Sequence, residues 1–127
     1  MDLPPPNTLL PTDFDILAED SKLSEKPQLL QAWDDTEVWY KKDDKFKRPK
    51  GIVSLKVYSN DHSFSSTPLG RLFVELWNQC LSEVTREFVY MADCAGLSLS
   101  TTISTDNVAF SWSGYNSSLP VFIKETF

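Results

Sequence analysis

The chain has 127 residues, 41% of them hydrophobic and 13% aromatic, enough for about one domain with a packed core and too apolar for wholesale disorder. Its formal net charge of −6 argues against wrapping a polyanion, and no run approaches the roughly 20 apolar residues of a membrane span. No nucleic-acid or membrane partner is expected. The start, "MDLPPPNTLLPTDFDIL", is acidic and proline-rich and does not read as a signal peptide.

Residues 1–35 carry five prolines, at 4, 5, 6, 11 and 27, around the polar run "EDSKLSEK". Proline fixes φ and disfavours helix in the residue before it, so this stretch is expected to be extended, a linker or a wrapped arm. From Glu37 the pattern turns to strands. "EVWYKK" sets Val38 and Tyr40 on one face and Trp39 on the other, and "GIVSLKVYS" alternates Val53, Leu55 and Val57 with Ser54, Lys56 and Tyr58. "KDDKFKRP" connects the two, with Phe46 expected to tuck against the sheet as an anchor.

Thr67-Pro68 reads as an N-cap followed by a first-turn proline. Apolar residues then recur at Leu69, Leu72, Phe73, Leu76, Cys80, Val84, Phe88, Met91, Ala92 and Ala95, and Gly96 suits the left-handed residue that closes a helix. Such a helix spans about 40 Å. Beyond it "LSLSTTIST" and "VAFSWSGY" form a hairpin about Asp106-Asn107, with Val108, Phe110 and Trp112 on the apolar face. "NSSLPVFIKETF" opens a second helix, about two turns of which are present, so a downstream continuation is expected. The fold class is α+β, an antiparallel sheet packed against a long helix. Trp77, Trp112, Cys80 and Cys94 are assigned to buried positions.

The chemistry-bearing residues are sparse. One His, His62, sits in the loop "SNDHSFSSTP" and is read as solvated, and no H-E-x-x-H or H-x-x-E-H element is present. Cys80 and Cys94 lie fourteen positions apart on one helix, about 21 Å, too far for a disulfide between them. Free thiols suit a reducing compartment, and a cytoplasmic location is expected. Asp34-Asp35 and Asp43-Asp44 are adjacent acids whose side chains diverge on an extended backbone, a poor catalytic pair. The basic set Lys41, Lys42, Lys45, Lys47, Arg48 and Lys50 is diluted by Asp43 and Asp44. No catalytic, cofactor-binding or metal-binding residue is assigned.

Four segments together resemble the insulysin or pitrilysin-type zinc metallopeptidases, the family of insulin-degrading enzyme. They are "LPPPNTLLPTDFDIL" (3–17), "VWYKKDDKFKRPKG" (38–51), "ELWNQCLSEVTREFVYMADCAGLSLS" (75–100) and "SWSGYNSSLPVFIK" (111–124). The aromatic pair before a Lys- and Asp-rich loop, and the long helix ending in Ala-Gly-Leu, are the more specific. The resemblance implies a piece of a chain of four related α+β domains, arranged as two halves closing around a peptide-filled chamber. Residues 1–35 would be the end of the second domain and the inter-half linker, and 36–127 the first half of a non-catalytic third domain.

The family's zinc site, H-x-x-E-H plus a distal Glu, belongs to its first domain, and its substrate-gripping Arg and Tyr residues to its fourth. Zinc is therefore expected in the parent enzyme and not on this chain. The implied role is chamber wall and hinge, with Pro11, Thr12, Asp13 and Phe14 at the hinge and Trp39, Phe46, Leu72, Phe73, Leu76, Phe110 and Trp112 as structural residues. The implied partners are the remaining domains and the parent's peptide substrates. The alternative is a stand-alone inactive interaction module of the same fold, as in non-peptidase relatives of respiratory complexes. An isolated half-domain is expected to expose Leu72, Phe73 and Leu76, or Phe110 and Trp112, and to self-associate.

Overall fold

The computed structural model describes residues 6–16, 26–43, 45–59 and 67–126. His62 and Asp44 lie outside the described residues, as does most of the "EDSKLSEK" run. In chain order the elements are β1 (Gln28–Trp33), β2 (Thr36–Tyr40), β3 (Lys50–Tyr58), α1 (Pro68–Cys94), β4 (Ser98–Ile103), β5 (Asn107–Tyr115) and α2 (Leu119–Thr126). They fall into two compact units, residues 15–49 and residues 1–14 with 50–127. The fold is α+β with antiparallel sheets, as expected.

The smaller unit holds an antiparallel β1–β2 hairpin turning at Asp34-Asp35, with a bulge between Leu29 and Gln31. Strand β1 puts regular strand pairing at the end of residues 1–35, which were expected to be an extended linker or wrapped arm. The apolar residues Leu29, Leu30 and Trp33 alternate poorly because of the bulge, which hides the strand period. The expected boundary at 35/36 falls at this turn, whereas the compact units change at 14/15 and 49/50. The connection after β2 joins strands of two different sheets. Within it Asp43 Oδ1 accepts from the backbone N–H groups of Lys45 (3.0 Å) and Phe46 (3.1 Å), and Lys47 adopts a left-handed φ of 47°. This locally bonded turn directs Phe46 outward, 72% exposed, so the expected anchor is corrected. Trp39 is exposed too, its indole N–H donating to Glu37 Oε2 at 3.0 Å.

The larger unit carries a three-stranded sheet in the order β3-β5-β4. Both ladders are regular and antiparallel: Val53 faces Trp112, Leu55 faces Phe110, and Leu99 faces Trp112 from the other side. Helix α1 begins as its sequence predicts, Thr67 Oγ1 accepting from Gly70 N–H at 3.0 Å with Pro68 in the first turn. It ends with Gly96 at φ 75° and with Leu97 N–H bonded back to the Ala92 carbonyl at 3.0 Å, leaving the Leu97 side chain in the core. Gly114, at φ 152°, lets β5 pass close to that corner: a Cβ there would stand 2.3 Å from Leu97 Cδ2.

The core gathers Val108, Phe110 and Trp112 of β5, Leu97, Ala92 of α1, and Leu119 and Phe122 of α2. Phe110 stacks on Trp112 at 5.8 Å between centroids, and Phe88 of α1 meets Phe122 at 5.6 Å. The buried face of α1 therefore runs through Val74, Leu81, Phe88 and Ala92 and not through the stripe predicted from Leu69 to Val84. Leu69, Leu72, Phe73, Leu76 and Val84 are exposed, as are Trp77, Cys80 and Cys94, which were assigned to buried positions. Residues seven apart stay within about 20° of one another around a helix, and the 74-81-88 set is the one the sheet and α2 cover. Of the two faces expected to be exposed, that of Leu72, Phe73 and Leu76 is open, whereas Phe110 and Trp112 are closed over.

Candidate functional site

Among the described residues no three His, Cys, Asp or Glu side chains gather where a metal ion could sit. Among the described residues the donors do not gather into a zinc site. Asp34 and Asp35 form the turn of the β1–β2 hairpin, and Asp43 is engaged in backbone capping. The Glu83–Arg86 pair lies on the solvent side of α1. No described helix is long and apolar enough to cross a membrane.

What the larger unit does build is an N-terminal arm anchored on its core. Asn7 Nδ2 donates to the Met91 carbonyl of α1 at 2.7 Å, while Asn7 Oδ1 accepts from Leu9 N–H at 3.0 Å. That turn drives Leu9 into the core, where it is 2% exposed. A fully buried leucine contributes on the order of 1.5–3 kcal/mol, so the arm is held by the core itself. Five residues on, the Phe14 ring meets the Tyr115 ring edge-on at 5.4 Å. Lys50 Nζ lies 4.7 Å from the centroid of the same Tyr115 ring.

Tyr115, the last residue of β5, thus ties together the arm, the start of β3 and, through its approach to Gly96, the corner after α1. The predicted hinge residues Pro11, Thr12, Asp13 and Phe14 lie in this arm, between the Leu9 anchor and the unit boundary after Phe14. Sequence reasoning named that stretch but missed its anchors, Asn7, Leu9, Lys50 and Tyr115. A Leu-Leu pair between prolines was the available signal for a chain segment that docks.

The arm, the three-stranded sheet and the long helix have a counterpart among known proteins. Residues 1–127 match the family described as the middle or third domain of peptidase M16. The chain belongs to that family. The A-factor-processing enzyme of Saccharomyces cerevisiae is 33% identical over 124 residues, 95% of this chain and 12% of that protein. Insulin-degrading enzyme of Bos taurus is 30% identical over 124 residues, 97% of this chain and again 12% of its own length. The crystal structure of pitrilysin superposes with a TM-score of 0.85 at 21% identity, covering 99% of this chain and 13% of that one. This M16 middle-domain chain therefore spans about an eighth of the length of the relatives it matches.

Proposed function

We propose that this chain is a non-catalytic part of an insulysin-like zinc metalloendopeptidase that degrades peptides, contributing wall and hinge to the substrate chamber. The observation that carries the reading is the match to the middle or third domain of peptidase M16 over residues 1–127, with its long relatives named as processing and degrading enzymes. The zinc would be held by another domain of the parent, because the described residues here offer no donor cluster. The arm of residues 7–14 supplies the hinge element. Leu9 keeps one end fixed in the core and the Phe14 ring meets Tyr115 at the other, so the stretch Pro11 to Phe14 lies between a buried anchor and an edge-on ring contact.

The purified chain supplied with zinc is expected to leave peptides intact. Turnover that a chelator abolishes would overturn the reading. The parent transcript gives the second check: an H-x-x-E-H element several hundred residues upstream is expected, with the remaining domains as partners. A reading frame confined to these residues would favour the stand-alone interaction module, which the open apolar face at Leu72, Phe73 and Leu76 also supports.

A further inference from the structure

Residues 15–49 form a compact unit that interrupts the larger one: the chain of the larger unit leaves at Phe14 and returns at Lys50. The two residues that flank this interruption touch one side chain. The Phe14 ring stands edge-on to the Tyr115 ring, with 5.4 Å between centroids and 85° between planes. Lys50 Nζ lies over the same ring, 4.7 Å from its centroid. Phe14, Lys50 and Tyr115 all belong to the larger unit.

The three residues are not held alike. Lys50 is the first residue of β3 and lies opposite Tyr115 in the antiparallel ladder, so the sheet fixes both backbones and their side chains form a cross-strand pair. The Tyr115 carbonyl also accepts from Ser118 N–H at 3.2 Å. Its ring fits against the corner after α1 because Gly96 has no Cβ; one built there would stand 3.1 Å from Tyr115 Cε2. Phe14 has no such backing. It lies in residues 11–16, which form neither helix nor strand, it is 56% exposed, and the core anchor Leu9 is five residues back.

We propose that Tyr115 is a clasp: it carries the fixed geometry of the sheet to Phe14 and so sets the spacing between the two ends of residues 15–49. One ring can hold both neighbours. An aromatic face is electron-rich and its edge electron-poor, so a cation over the face and a second ring set edge-on are each attracted. Lys50, lying over the ring, restrains it and thereby acts on Phe14 through it. Tyr115 is in this sense a positioning residue. The inference needs neither a peptidase parent nor motion of Pro11 to Phe14, since every contact it uses lies within the larger unit.

The test is pulsed electron paramagnetic resonance on the 127-residue chain carrying Cys80→Ser and Cys94→Ser. Spin labels on Thr12→Cys and Gln79→Cys report the arm against α1, and labels on Lys56→Cys and Gln79→Cys report the unit itself; all three positions are exposed. With Tyr115 present the Thr12–Gln79 distances are expected to be narrowly distributed. Tyr115→Leu should raise the displaced population about 2–12-fold, the factor that one lost aromatic contact supplies, and leave the Lys56–Gln79 distances unchanged. Tyr115→Phe, which keeps the ring, should behave as the wild type. Lys50→Met should broaden the Thr12–Gln79 distances when Tyr115 is present and add nothing to Tyr115→Leu. A narrow distribution in Tyr115→Leu overturns the proposal, as does Tyr115→Phe as broad as Tyr115→Leu, or a Lys50→Met effect that is absent or persists without the ring. Should Tyr115→Leu also disturb the Lys56–Gln79 pair, Phe14→Leu and Lys50→Met decide: both must broaden the Thr12–Gln79 distances, and failure of either overturns the clasp.

Discussion

Strands β3 and β5 have nine residues each, pair in full register and carry the same alternation, yet one is buried every second residue and the other is exposed along nearly its whole length. Val53 lies beside Trp112 and Leu55 beside Phe110; the first of each pair is open to water and the second is not. What separates them is cover. Helix α1 and the short α2 roof β5, with Phe88 against Phe122 and Trp77 edge-on to Phe110 at 6.1 Å, and nothing among the described residues does this for β3. Alternation marks a face for burial, and only a second layer buries it.

Substitutions on the two sides should show that difference in the monomer's stability. Trp112→Ala, at a side chain 1% exposed, is expected to cost about 3–5 kcal/mol and to unfold much of the population; denaturant titration retaining the wild-type midpoint would contradict it. Leu9→Ala should cost about 2–4 kcal/mol by the same titration and release the arm to proteolysis near Pro11, since the Leu9 side chain is the arm's core anchor. Gly114→Ala should cost about 1–3 kcal/mol, because its Cβ would crowd both the Leu97 side chain and the Leu97 backbone, 3.0 Å away. Phe14→Ala removes one exposed ring contact, about 0.5–1.5 kcal/mol, and should raise hydrogen exchange in residues 11–14 with little change in the global midpoint. Ile52→Ser, on the uncovered strand, should shift the midpoint of the dilute monomer by less than about 0.5 kcal/mol. A large loss there would mean that β3 is covered after all, and the contrast with β5 would collapse.

Helix α1 sharpens the same point. Its ends were legible, because Thr67, Pro68 and Gly96 act through local backbone chemistry that needs no neighbour. Its buried face was not. The helix carries more apolar residues than one face can hold, so Leu69, Leu72, Phe73 and Leu76 make as good a stripe on paper as Val74, Leu81 and Phe88. The site reads likewise. The stretch Pro11 to Phe14 was singled out as a hinge through proline and a likeness to relatives, whereas the contact of Phe14 with Tyr115, about a hundred residues away, is long-range.

The sequence by itself determined the strand and helix boundaries of the larger unit, the hairpin after α1 and the membership of a peptidase family. These rest on period, capping and motif, all of which act over a few residues or are carried by residue identity. The tertiary structure decided which apolar face of α1 is core, that Phe46 and Trp39 face water, that Leu9 is a core residue and that β3 ends the sheet. Each of these depends on which surface comes to lie against which, and burial is a property of two surfaces together.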